Sequence, residues 1–369
     1  MRILQISSAR TYGGGERHVV DLCRGLKARG HEVFAALRPT SVWQERLSFL
    51  PSENILQVSI RNSIGIFSAK RMADFIKEND IEIVHAHVAR DYIPASIACM
   101  AAKPSRLVIT RHVMFPLKPF NRFALKNVAR AIGVSEPVGE QLASTFPRHK
   151  IRVICNGIEI EDGEDRNKST AGREFRQLHS IPEDALLVGT LGELRELKGQ
   201  RDFILAAAEI VKDIPNTFFV VVGQDNTIDK RYRRELRRLV SVFGMTDRFL
   251  WLDWLEDTVP FYSATDLFVS PSHSESFGLA ILEAMANGTA VISTETDGAL
   301  QLLADPRQRV PVNDPVRLAR GCVDLLCREA ERLELGRNAR LMAAEKYSLW
   351  RMLDETEALY REVADNPRS

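Results

Sequence analysis

The sequence predicts an α/β protein of two Rossmann-like domains, each a parallel sheet covered by helices. Three observations carry this. Short apolar runs alternate with longer helix-forming segments along the chain, the pattern of βαβ units. In each half an apolar run ends in a glycine-bearing turn that opens a helix, first at Gly13-Gly14-Gly15 and later at Gly192 to Gly199. With 369 residues the chain is long enough for two domains of ordinary size.

Composition narrows the class. Hydrophobic content of 45% and charged content of 27% are those of a soluble globular chain. The apolar run at the start is too short for a signal-peptide core, and no stretch approaches the roughly 18 apolar residues of a membrane span. The expected location is the cytoplasm. The five cysteines show no C-x-x-C pair and no clustering with histidine, so they read as incidental thiols. Net charge is +1, yet residues 1–155 hold 23 Lys and Arg against 12 Asp and Glu. Such a basic half suits anionic lipid, an anionic acceptor or phosphate-bearing substrate. No nucleic-acid-binding motif accompanies the charge, which disfavours nucleic acid as a partner.

Taken in order, the first domain opens as strand (2–6), glycine-rich loop (11–15), helix (16–29), Gly30 stop and strand (32–37). His18 stands where a dinucleotide fingerprint needs its third glycine. The second strand also ends at Arg38-Pro39, without the acidic residue that would hold an NAD ribose. NAD is disfavoured, and a plain tight turn remains an alternative use of the glycines. A helical stretch, a variable loop and a helix over 67–78 follow. Next is a strand over 81–87, whose His85 and His87 share one side near the end where parallel sheets bind ligands. A helix over 91–102 and a strand over 106–110 lead to Arg111-His112. Residues 114–130 interleave aromatic and basic side chains, as either a membrane- or acceptor-facing surface or a packed helix with a basic face would. A strand end at 131–135 and the Asn156-Gly157-Ile158 segment close this domain, and the polar stretch 159–184 reads as a linker with a short helix at 173–178.

The second domain alternates strands at 186–191, 217–222 and 248–254 with helices at 201–212 and 229–243, the latter highly charged and solvated. Its centre is Ser270 to Gly288. A buried strand over 266–270 gives way to a Ser- and Gly-rich turn and then a helix closed by Asn287-Gly288. Unpaired N–H groups at such a helix start favour phosphate. Glu275 and Glu283, eight residues apart, frame the turn and helix, and carboxylates accept hydrogen bonds from the hydroxyls that a sugar nucleotide carries on ribose and sugar. The same spacing alone also fits a solvated helix face. A strand at 290–293, a small-residue turn at 296–299 and helix from 315 onward complete the chain.

With Ser276-Phe277-Gly278-Leu279 after the first glutamate and Leu282-Glu283-Ala284-Met285-Ala286 around the second, this stretch resembles the E-x7-E signature of retaining GT-B glycosyltransferases, specifically glycosyltransferase family 4. The resemblance runs over essentially the whole chain. It implies two Rossmann-like domains facing across a cleft: residues 1–158 binding acceptor, a linker over 159–184, residues 185–346 binding donor, and a terminal helix over 347–369 crossing back to the first domain. It implies that Gly14 and Gly15 close over the donor phosphates and that His112 reaches the transferred sugar. The resemblance further implies that Lys198 holds the diphosphate, that Glu275 meets the sugar hydroxyls and that Glu283 meets the ribose. By the same resemblance, Ser276, Phe277, Gly278 and Leu279 would complete the donor contacts. The chain departs from the family at Glu193, where an arginine is usual; Arg195 is the nearest replacement, unless Glu193 turns away. Asp225 and Asp253 replace glycines of the family pattern, and Gln301 stands where Glu is frequent.

The implied reaction moves a hexose-type sugar, with retention, from a nucleoside-diphosphate sugar to a sugar or lipid-linked acceptor in cell-envelope glycan or glycolipid synthesis. No Asp-x-Asp pair sits at a strand end, so no metal and no other cofactor is expected. Peripheral contact with an anionic membrane is a further expected partner. A sugar-nucleotide epimerase, a phosphorylase and a non-catalytic binding module are the competing readings; the Glu275/Glu283 surroundings argue against the first, and the phosphorylase would need a pyridoxal-binding lysine.

Overall fold

The computed structural model describes residues 1–60, 65–160 and 170–365. The chain divides into two compact units, Met1–Gly157 with Leu349–Ser369 and Ile158–Ser348. In the first unit β1 (Arg2–Ser7), β2 (Glu32–Leu37), β3 (Ile55–Gln57), β4 (Ile83–Ala86), β5 (Arg106–Arg111), β6 (Val128–Gly133) and β7 (Ile151–Val153) form one sheet. Its order is β3-β2-β1-β4-β5-β6-β7, with every pair parallel. The helices are α1 (Gly14–Ala28), α2 (Ile66–Glu78), α3 (Ala89–Ala101), α4 (Asn121–Ala124) and α5 (Glu136–Leu142), joined by the terminal helix Leu349–Asp365. Both sheet faces are covered, which is why the strands read as continuous apolar runs. Successive residues of β1 therefore enter opposite cores: Leu4 and Ile6 meet Phe34, Met72 and Tyr92, whereas Ile3 joins Leu22, Leu26, Leu353 and Tyr360.

The terminal helix is thus part of the first unit's core. Gly25, inside α1, lets it pack close: a Cβ there would lie 2.3 Å from Leu353 Cδ1. Polar contacts fix its register, with Arg29 donating to Glu357 at 2.9 Å, Arg130 to Glu362, and Gln5 to the Tyr360 hydroxyl at 3.2 Å.

In the second unit β8 (Leu186–Leu191), β9 (Thr217–Val222), β10 (Phe249–Leu252), β11 (Leu267–Ser270), β12 (Ala290–Thr294) and β13 (Arg309–Val310) form a parallel sheet in the order β10-β9-β8-β11-β12-β13. Around it lie α6 (Thr170–Leu178), α7 (Gln200–Asp213), α8 (Arg231–Val242), α9 (Val259–Ala264), α10 (Leu279–Ala286), α11 (Asp297–Leu302), α12 (Pro315–Cys327) and α13 (Glu329–Lys346). One core joins Phe203, Ile204, Phe219 and Leu236 to Leu318 and Leu325. On α8 only Arg233, Leu236 and Val240 are buried, in keeping with its charge.

Several features depart from the sequence reading. The variable loop contains β3, and residues 309–310 form β13; both are edge pairings too short to leave a period. The turn at 296–299 is the start of α11, with Thr296 as its N-cap. His87 lies one residue beyond β4 rather than within a strand reaching 87. Helix in 114–130 is confined to α4, leaving Phe115, Phe120 and Phe123 about two-thirds exposed and ruling out the packed helix. Residues 161–169, most of the expected linker's start, lie outside the described residues, and α6 begins at Thr170, three residues before the expected helix. Among the described residues no helix is long and apolar enough to cross a membrane.

Candidate functional site

In each sheet the chain leaves a central strand, builds one side, and returns to build the other. The reversal falls between β8 and β11 in the second unit and between β1 and β4 in the first. Ligands of open parallel sheets bind beyond the strand C-termini at such points, because diverging loops leave a crevice there.

In the second unit the loops after β8 and β11 are laced together. His273 N donates to Leu197 O at 2.9 Å, and its Nε2 lies 2.8 Å from Asp202 Oδ2 on the first turn of α7. Gly199 has φ +66°, and a Cβ on it would fall 1.9 Å from Pro271 O, so only glycine fits. This contact brings Lys198 Nζ to 2.5 Å from Glu275 Oε2, with both side chains mostly buried. The backbone of Glu275 is held too: its carbonyl accepts from Gly298 N at 2.9 Å. Phe277 is buried, its ring against Tyr347 at 5.8 Å. Gly278 then turns the chain into α10 at φ +94°, leaving the first-turn N–H groups of Leu279 and its neighbours beside half-buried Ser276.

Glu283 is buried on α10, and its Oε2 accepts from the Tyr262 hydroxyl at 2.8 Å. That bond fixes the carboxylate in one orientation. Glu193 is not free: Asn226 donates to one oxygen at 3.0 Å, and Arg195 Nη1 lies 3.4 Å from the other. Arg195, half exposed, therefore shares its charge with Glu193. The two aspartates standing for glycine have structural partners. Asp225 accepts from Thr227 N at 2.8 Å and Arg233 N at 2.7 Å, and although burial works the other way these bonds hold its carboxyl below the usual range; Asp253 pairs with Arg233.

In the first unit Gly14 and Gly15 are the first two residues of α1 rather than the end of a loop, a correction of one turn boundary. Glu16 folds back on the Gly13 and Glu16 N–H groups, replacing a side-chain N-cap, and burial raises its pKa. A Cβ on Gly15 would touch the His112 ring at 3.8 Å. Around that ring the structure gathers residues far apart in sequence. His87 Nδ1 lies 3.3 Å from His112 Nε2, and His87 Nε2 lies 2.8 Å from Gln5 Oε1. Tyr360 joins Gln5 to His85 Nδ1 at 2.5 Å, and His85 Nε2 meets Thr110 Oγ1 at 2.7 Å. His85 thus has both nitrogens engaged in the core. Burial lowers the pKa of His18 to about 4 and those of His85, His87 and the half-buried His112 well below the ordinary 6.5, which favours the neutral ring in all four near pH 7. Asp91, fully buried at the start of α3, accepts from Ser8 N at 2.8 Å, and burial raises its pKa to about 6.

Residues 172–342 match the family model for glycosyl transferases group 1, and residues 12–162 match that for glycosyltransferase family 4. The chain belongs to the family 4 (group 1) glycosyltransferases. It is 26% identical over 332 residues to the lipopolysaccharide core biosynthesis glycosyltransferase LpsE of Rhizobium meliloti, covering 88% of each chain. Among solved structures, a glycosyltransferase from Rickettsia africae superposes with a TM-score of 0.86 at 20% identity over 99% of both chains. Anabaena HepE in complex with UDP-glucose gives 0.83 at 19% identity, covering 97% of this chain and 99% of that one. These likenesses establish the GT-B fold.

Read as a family 4 enzyme, the chain brings Lys198, Glu275 and the Ser276–Leu279 turn together in the second unit, and Gly15 and His112 together in the first. Arg195 stays tied to Glu193. Gln5, His18 and Tyr360 had escaped notice as site residues. Gln5 carries a signal, a polar residue inside an otherwise apolar strand, whereas Tyr360 looks like any core position of an amphipathic helix.

Proposed function

We propose that this glycosyltransferase moves a hexose-type sugar, with retention, from a nucleoside-diphosphate sugar to a sugar or lipid-linked acceptor of the cell envelope. The observation that carries the reading is the Lys198–Glu275 pair at the strand reversal of the second unit. A diphosphate next to a sugar needs a cation next to a hydroxyl acceptor, and the two side chains stand side by side. As the leaving diphosphate gains charge, Lys198 and the N–H groups at the start of α10 stabilise it without reorganising. Glu275 orients the sugar hydroxyls and Glu283, held by Tyr262, takes the ribose. Residues 185–346 serve the donor, and residues 1–158 serve the acceptor through His112. UDP-glucose bound to HepE supports a nucleotide-sugar donor, and the role of LpsE in lipopolysaccharide core synthesis supports an envelope acceptor. Donor transfer of this design asks for no metal.

The exposed Phe115, Phe120 and Phe123, interleaved with Lys118, Arg122 and Lys126, support peripheral contact with an anionic membrane at its cytoplasmic face. Thermal melts with UDP, GDP and ADP test the donor half: one diphosphate is expected to raise the melting temperature in the native protein and not in Glu283→Ala. Failure of every nucleotide to stabilise the protein overturns the reading. Consumption of donor sugar without acceptor would instead support the epimerase.

A further inference from the structure

The proposed transfer asks only His112 of the first unit, yet three imidazoles converge there. His18 lies on the second turn of α1, His87 one residue past β4 and His112 one residue past β5. One ring nitrogen of each lies within 4.8 Å of the other two. The ring centroids stand 4.9 Å apart for His18 and His112, and 5.6 Å apart for each of the other two pairs. A tetrahedral ion with metal–nitrogen bonds of about 2.0–2.1 Å sets ligand nitrogens ~3.3 Å apart and imidazole centroids ~5 Å apart. His87 Nδ1 and His112 Nε2 are already at 3.3 Å. We propose that His18, His87 and His112 form a three-histidine site for a divalent transition metal of the zinc class, with the fourth position left to water or a small anion.

The surroundings suit such an ion. Gln5 Oε1, 2.8 Å from His87 Nε2, fixes that nitrogen as the N–H and turns Nδ1 into a lone-pair donor, the second-shell support that ligating histidines generally have. Gln5 is itself held by Tyr360, so the ring's orientation is set from the core. His18 is buried; its Nδ1 makes no hydrogen bond of good geometry, although the Asn156 side chain lies beside the ring. Neutral imidazoles are the form that ligates, and an all-nitrogen set selects zinc, copper or nickel over magnesium or calcium. The ion is not part of the transfer chemistry. On the proposed function, in which His112 meets the transferred sugar, an ion held by His112 would compete with transfer, so added Zn2+ is expected to inhibit it.

The test needs neither donor nor acceptor, so its outcome is separate from that of the transferase reading. Metal-free full-length protein is titrated with Co2+ while the visible d–d bands are followed, and Zn2+ is then added. One Co2+ per chain with the intense bands of a tetrahedral site is expected, displaced by one equivalent of Zn2+. His18→Gln and His87→Gln should weaken binding at least tenfold, whereas His149→Ala, on an exposed residue, leaves it unchanged. X-ray absorption of the zinc-loaded native protein should give three imidazole nitrogens and no sulfur, which holds the claim to account even if a variant fails to fold. Absence of stoichiometric binding, sulfur in the coordination shell, or unchanged binding in the His18 and His87 variants would overturn the site.

Discussion

Lys198 and Glu275 stand 77 positions apart and share one short contact, so each holds the other in place before any donor arrives. Lys198→Ala is expected to lower kcat by at least about 100-fold, the usual loss when one oxyanion-stabilising group is removed, with the melting temperature little changed. Activity within a few-fold of native would remove Lys198 from the site. The three buried histidines and the half-buried His112 make a second expectation at this level. Each refuses in the folded state a proton that the unfolded chain accepts near pH 6.5, so their contribution is complete above that pH and is lost as pH falls toward about 4, the His18 value. The slope is roughly 1.4 kcal/mol per pH unit for each group. Asp91 acts oppositely, since its folded form keeps a proton up to about 6 that the unfolded chain has already released. One carboxyl against four imidazoles leaves a net loss at low pH. Melts should therefore show the transition temperature dropping steadily below pH 6.5, and less steeply in His18→Gln; a flat profile contradicts the neutral cluster.

Loops and helices carry the next layer. The loop after β8 can reach the loop after β11 only because Gly199 has no Cβ and adopts a positive φ. Gly199→Ala meets both the backbone strain and the Pro271 carbonyl, and is expected to cost about 1–3 kcal/mol, read by chemical denaturation, together with weaker nucleotide binding. Retention of both stability and binding would show the loops to be less tightly coupled. Most of these elements were legible in the sequence, because parallel strands buried on both faces are continuous apolar runs and glycines mark their turns. What escaped were β3, β7, β13, α5, α9 and the start of α11. Two- and three-residue edge strands exist through pairing with a neighbour rather than through their own pattern, and Thr296 acts as an N-cap inside what reads as a small-residue turn.

At the level of the whole chain, the terminal helix belongs to the core of the first unit although it follows the second in sequence. Its Tyr360 hydroxyl joins Gln5 to His85 and is wholly buried. Tyr360→Phe removes that bridge and leaves two buried polar groups short of a partner, a cost of about 1–3 kcal/mol expected as a lowered denaturation midpoint at unchanged m-value; no change would show that the bridge contributes nothing. The amino-acid order alone specified the α/β class, most of the longer strand and helix spans in both halves, and the Glu275–Glu283 signature, since each is a local matter of side-chain period, turn chemistry and spacing. It did not specify which strand ends become neighbours. His18, His87 and His112 lie on separate βα turns, and Glu193 lies near Asn226 only because β8 pairs with β9. Strand order places them together, and strand order follows from how two apolar sheet faces are covered, a property of the packed chain that no single segment carries.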